Sequence, residues 1–136
     1  MTQTPRDPNF EQRVRASFER QAAMATFGAS LACVVPGEVV IELPFRPELT
    51  QQHGFLHAGI VTSLMDSACG YAALSLMDPG AAVLSVEFKV NLLAPARGSR
   101  FSASPIRPAR RSVRICSCCA RSNPFSASSS SSSRPA

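Results

Sequence analysis

The sequence predicts an α+β domain in which an antiparallel sheet wraps one long central helix. Residues 54–77 form the longest helical pattern, apolar on nearly every face, and they stop at the breaker Asp78-Pro79-Gly80. Residues 38–45 and 82–93 carry the apolar alternation of strands. The order of elements is helix, strand, strand, long helix, strand, strand, which segregates helices from an antiparallel sheet.

Residues 9–27 read as one amphipathic helix. Phe10, Val14, Phe18 and Ala22 recur every fourth position, while Glu11, Arg13, Arg15, Glu19 and Arg20 take the other faces. Asp7-Pro8 signals its start and Gly28 its stop. Residues 30–35 and 38–45 flank the turn dipeptide Pro36-Gly37, so a hairpin is expected, with Val39, Ile41, Leu43 and Phe45 on one side of its second strand. Residues 54–77 follow as the helix buried against the sheet. In 82–93 the strand residues are Val83, Leu84, Val86, Phe88, Val90 and Leu92. A turn at 94–98 leads into a strand over 99–104, and residues 111–119 form a further strand candidate through Val113 and Ile115.

At 136 residues the chain suits one domain and is too short for two ordinary ones. Residues 1–121 are assigned to that domain and 122–136, rich in serine, to a disordered tail. The net charge of +5 would suggest nucleic acid, but its distribution argues otherwise. Residues 1–104 hold eight Lys/Arg against nine Asp/Glu, and the six remaining arginines all follow residue 104. No specific nucleic-acid partner is therefore expected. No run of apolar residues is long enough for a membrane span, and the polar N-terminus lacks a signal-peptide core, so a cytoplasmic protein is expected. Five cysteines, an odd number, suit free thiols better than a disulfide framework. The lone CxxC spacing of Cys116 and Cys119 is too weak a signal for a metal site.

The anomaly is Asp66, a single acid inside the apolar helix. Its helical neighbours are Thr62, Ser63, Cys69 and Gly70, with Gly59 and Ala73 one turn further on. Such a stripe of small residues admits close approach and leaves the carboxylate partly desolvated, which strengthens it as a base. The start of the same helix, near Leu56, His57, Ala58 and Gly59, offers amides without intrahelical partners at the positive end of the dipole, a setting that holds an oxyanion. The acid lies roughly 13 Å further along the axis at ~1.5 Å per residue. One chain cannot bring both to one reacting atom. Two antiparallel copies of the helix can, so a site shared across a two-fold dimer is expected.

The segments HGFLHAGIVTSLMDSACGYAA and VLSVEFKVNLLAPARG resemble the hot-dog-fold acyl-CoA thioesterases of the phenylacetic-acid-degradation, or PaaI-like, family. The resemblance spans about residues 10–104 and rests on a polar Gln, an HAG triplet, an acid nine residues after the His, a strand with a central polar residue, and a Pro-Ala turn. It implies that Asp66 is the base or nucleophile, that the amide of Ala58, with Gly59 beside it, polarises the thioester carbonyl, and that Gln51 orients the thioester or the attacking water. It further implies that Ser85 assists and that His57 fixes the loop before the helix. The implied activity is hydrolysis of an acyl-CoA with an aromatic or short- to medium-chain acyl group, by a homodimer or homotetramer, with no cofactor and no metal. After residue 104 the composition departs from the family, turning to Arg, Ser, Cys and Pro without acids, and a reading-frame shift near residues 103–108 is expected.

The same residues admit competing readings. His53 and His57 stand four apart as a metal pair would, but no convincing third ligand accompanies them. Cys69 and Tyr71 read as packing residues. A non-catalytic acyl-CoA-binding protein, or an inactive truncated remnant of the same fold, is the rival to the enzyme.

Overall fold

The computed structural model describes residues 3–105 and the backbone of 115–122. Helices α1 (Phe10–Glu19) and α2 (Ala22–Phe27) precede strands β1 (Ser30–Val35) and β2 (Glu38–Pro44). A 3-10 turn, Pro47–Leu49, leads to the long helix α3 (Ala58–Leu74), followed by β3 (Val83–Val90), β4 (Arg100–Ala103) and β5 (Ile115–Ser122). Strands β1, β2 and β4 form one antiparallel sheet and β3 pairs antiparallel with β5. The expected α+β architecture, with strands packed around one long helix, is the one observed. Among the described residues no helix is long and apolar enough to cross a membrane. The tail after Ser122 and the junction at 106–114 lie outside the described residues.

The core forms where the two periodicities meet. Val39, Ile41 and Leu43 of β2 alternate inward and are fully buried. They pack with Val61, Leu64, Met65, Ala68 and Leu74 of α3, and with Val14 of α1 and Met24 of α2. Phe45, expected on the same side, lies beyond the end of β2 at Pro44 and is partly exposed.

Two expected helices differ in extent. The run over 9–27 is broken at Arg20 and Gln21, where Gln21 leaves helical geometry. The side chain of Gln21 bonds to Ser67 and Tyr71 of α3. A tertiary anchor thus coincides with the break, with no Gly or Pro between Phe10 and Phe27 to announce it. The long helix starts at Ala58 and not at Gly54. His57 is extended and its Nδ1 accepts from the Gly59 N–H at 2.9 Å, so the imidazole caps the helix in place of the usual Ser, Thr, Asp or Asn.

The other end of α3 is clamped from the N-terminal helix. The Arg13 guanidinium donates to the carbonyls of Leu74, Met77 and Asp78 at 2.7, 2.8 and 2.5 Å. A cation at a helix C-terminus also opposes the dipole there. Arg13 Nε lies 3.3 Å from a carboxylate oxygen of Asp7, an ion pair without hydrogen-bond geometry, and the Asp7 side chain is only 7% exposed. Ser75, fully buried, donates to Ala72 O and accepts from the Gly37 N–H, which ties this end to the β1–β2 turn.

Arg13→Met keeps the stem and removes the charge, leaving Asp7 buried without its partner. Urea denaturation is expected to show a loss of about 3 kcal/mol, the scale for breaking a buried ion pair. Adding Asp7→Asn should cost less than the two single effects summed, because the two groups are coupled. Strict additivity would show that they do not interact.

Candidate active site

Asp66 lies in the middle of α3, half-buried, opposite β3. The Ser85 hydroxyl donates to Asp66 Oδ1 at 2.5 Å, within the range of a hydrogen bond to a charged oxygen. Val83 packs inward on the core and Ser85 reaches the helix, whereas Leu84 and Val86 point outward and are 71% and 68% exposed. Period two thus carries Ser85 to the acid.

Both residues line a cleft of ≈ 620 Å³ with Gln21, Ser67, Gly70 and Tyr71. Glycine at 70 leaves the wall shallow, since a Cβ there would meet only Val83 Cγ1 at an ordinary 3.7 Å. The cleft carries a polar chain that the sequence alone did not reveal. The Tyr71 hydroxyl donates to Gln21 Oε1 at 3.0 Å, and the Gln21 amide donates to Ser67 Oγ at 3.0 Å. Tyr71, read from the sequence as a packing residue, is indeed buried, and its ring meets Phe18 edge-on at 5.8 Å between centroids. Burial raises its phenol pKa above the ordinary 10.0, against smaller opposing effects of a hydrogen bond with Ser17 and the charge of Arg20.

The second group of expected residues gathers at the tip of α3. Gln51 Oε1 accepts from the His53 N–H, folding the side chain back on its own loop. That loop is closed by a bond from the Gln51 N–H to Phe55 O at 2.9 Å and is tied to the helix start by one from the His57 N–H to Leu49 O at 2.9 Å. The Gly59 amide is taken by the His57 ring, and the Ile60 and Val61 amides bond His57 O at 3.0 and 3.2 Å. Among the described residues, the amide of Ala58 has no acceptor. Gln51 and Ala58 line a cleft of ≈ 480 Å³ with Phe55, Leu56, Leu92 and Ala96.

The expected residues therefore fall into two sets. Asp66 and Ser85 share one cleft, and Gln51 and Ala58 share another, with His57 and Gly59 holding the helix start beside it. Neither cleft of a single chain contains both an open amide and the acid. Among the described residues no group of three His, Cys, Asp or Glu is arranged to hold a metal.

The sequence pattern that defines the thioesterase superfamily matches residues 53–120. A thioesterase family protein of Silicibacter pomeroyi of known structure is 59% identical, with 70% of each chain covered and a TM-score of 0.69. Human acyl-coenzyme A thioesterase 13 is 30% identical over 97 residues, 71% of this chain and 66% of that protein. The Escherichia coli PaaI protein of the phenylacetic acid degradation operon, at 23% identity, shares the fold, with a TM-score of 0.64 over 71% of this chain and 68% of that one. The chain spans at most 66% of the length of the curated relatives it matches.

Tyr71 is the only tyrosine, so absorbance of the tyrosinate reads this site alone. Its midpoint in the folded protein is expected above 10.0 and in denaturant near that ordinary phenol value. The unfolded chain then releases this proton first. Stability owed to Tyr71 is complete below the unfolded pKa and is lost as pH climbs through the higher native one. A native midpoint at or below 10.0 would contradict the burial of this hydroxyl.

Proposed function

The chain belongs to the thioesterase superfamily, and from that premise we propose that it hydrolyses an acyl-CoA thioester to the free acid and CoA. The observation that carries the reading is the half-buried Asp66, held by Ser85 and open to a cleft. Ser85 fixes one carboxylate oxygen and leaves the other to act. Asp66 takes a proton from water as the water oxygen bonds to the thioester carbon. The carbonyl oxygen gains negative charge and is held by the Ala58 amide, whose sisters at this helix start are already committed. The tetrahedral species then collapses, the C–S bond breaks and the thiolate leaves without needing a strong acid. The Gln51 side-chain amide, in the cleft of Ala58, orients the thioester.

Acid and amide belong to different subunits in this proposal. Asp66 of one subunit works with Ala58 of the partner subunit, across a homodimer or a larger assembly of such dimers. Two features support assembly. The edge of β3 opposite β5 has no partner strand among the described residues. Leu84, Val86, Phe88, Leu92 and Leu93 expose a stripe of apolar surface. The acyl group is aromatic or of short to medium chain length. The activity needs no metal and no organic cofactor.

Asp66→Asn is expected to lower kcat by about 10²–10⁴-fold, the usual worth of a general base, with little change in KM. Ser85→Ala should cost about tenfold, ~1.4 kcal/mol, by loosening the carboxylate. Thiol release from phenylacetyl-, benzoyl- and medium-chain acyl-CoA measures both, and an undiminished Asp66→Asn rate would dismiss the mechanism.

The shared site has its own test in Ala58→Pro. Proline removes the amide hydrogen at the first helical position, where it is tolerated, and His57 at ψ 136 already has the extended backbone that a following proline demands. Alone it should lower kcat by about 10²–10³-fold. Refolded together, Asp66→Asn and Ala58→Pro chains should recover roughly a quarter of wild-type activity, because half the dimers are mixed and each holds one intact site. No recovery would put both groups in one chain.

A further inference from the structure

Most charges of the described residues are matched. Arg6 pairs with Asp78, Arg13 with Asp7, Arg15 with Glu11, Arg46 with Glu48 and Arg100 with Glu42. Arg20, Lys89 and Arg97 have no carboxylate at ion-pair distance among the described residues. Arg97 differs from the other two in being held: its guanidinium sits 4.5 Å above the centre of the Phe55 ring. Phe55 and Ala96, the residue before Arg97, both line the cleft that contains Ala58 and Gln51. We propose that Arg97 is the phosphate-binding residue of this site, gripping the phosphorylated nucleotide end of CoA. The inference rests on the thioesterase reading above and names the part of the substrate that this side of the cleft takes.

In an acyl-CoA the thioester and the phosphates stand at opposite ends of the pantetheine arm. A residue that holds the phosphates must therefore flank the cleft while the Ala58 amide meets the carbonyl. A guanidinium lying on an aromatic face keeps its N–H edge free, and that planar fork matches two oxygens of a phosphate. Stacking on Phe55 also restrains a long side chain in advance, so less freedom is lost when the anion binds. The platform is fixed to the site by backbone bonds. The Gln51 N–H donates to Phe55 O at 2.9 Å, and the Leu56 N–H donates to Ala96 O at 3.4 Å, joining the Phe55 loop to the Arg97 turn. Arg20 instead lines the Asp66 cleft beside Tyr71, at the acid's end of the site, and neither Lys89 nor its chain neighbours Phe88 and Val90 line the Ala58 cleft, whereas Ala96 beside Arg97 does.

Two measurements test this. In the first, adenosine 3′,5′-bisphosphate is titrated calorimetrically at low ionic strength into the wild-type protein, Arg97→Gln and Arg97→Lys. Arg97→Gln should bind about tenfold more weakly, and Arg97→Lys should regain only part of the loss, since it keeps the charge but not the fork or the stacking. In the second, phenylacetyl-CoA is compared with phenylacetyl-pantetheine, which lacks the nucleotide. Arg97→Gln should lower the ratio of kcat/KM for the CoA thioester over the pantetheine thioester by about tenfold, through KM. Bisphosphate that fails to bind the wild type, or binds Arg97→Gln equally well, overturns the proposal, as does an unchanged ratio. If the wild type hydrolyses neither thioester nor any other acyl-CoA, the thioesterase reading falls while the bisphosphate titration still judges the phosphate site.

Discussion

The rigidity of α3 governs the rest. Ala58 stands at its first position and Asp66 eight residues on, a separation of ~12 Å at about 1.5 Å per residue. A carbonyl carbon and its oxygen are only about 1.2 Å apart. A helix pinned at both ends cannot bend to bring its tip and its middle to the same bond, and the two groups open on different clefts. A chemistry that uses both must lay two such helices against each other in opposite directions. The fold holds these two groups firmly and apart.

The tip owes its one open amide to how the helix is capped. A helix start normally leaves several amides open. Here the His57 ring takes the Gly59 amide and the His57 carbonyl takes those of Ile60 and Val61, which leaves Ala58. The triplet His57-Ala58-Gly59 then has a steric logic. A Cβ at position 59 would lie 3.0 Å from His57 Nδ1 and 3.3 Å from Cε1, so a side chain there would crowd the ring that makes the cap. Histidine caps, glycine makes room for the histidine, and alanine supplies the free N–H. The opposite end is held as firmly by Arg13 and Ser75. The position of Asp66 relative to Ala58 is thus fixed by contacts at the two ends of α3.

Local pattern made part of this legible in the sequence. The hairpin at Pro36-Gly37 and the inward alternation of Val39, Ile41 and Leu43 depend on neighbours in the chain and were readable from them, whereas α3 ends at Leu74, three residues short of the stop expected at Met77. Asp66 stood out because an acid on a stripe of small residues breaks the apolar pattern. The break at Gln21 was not readable, because it accompanies hydrogen bonds to residues of α3 far along the chain. The start of α3 at Ala58 was hidden by apolar residues that continue the pattern back through Leu56, and by a capping residue outside the usual set. Arg13 looked like one charge among several on a solvated face, whereas its partners lie at the far end of α3. Ser85 was singled out by family resemblance alone, and its bond to Asp66 is a product of the fold. The stacking of Arg97 on Phe55 joins two loops with no shared pattern.

Strand β3 links the acid to the surface beside it. Its inward side supplies Val83 to the core and Ser85 to Asp66, while its outward side shows Leu84, Val86 and Phe88. Leu84 also lines the Asp66 cleft. Covering the outward stripe would therefore bury Leu84, one wall of that cleft. A lone chain leaves that apolar surface in water at a cost of ~25 cal/mol for each Å² that a neighbour could have covered. The same burial would dry the wall beside Asp66, where charge–dipole interactions strengthen as the effective dielectric falls. Under the proposed mechanism, association along β3 and drying of the wall beside the carboxylate would be one event, driven by side chains outside the reacting groups.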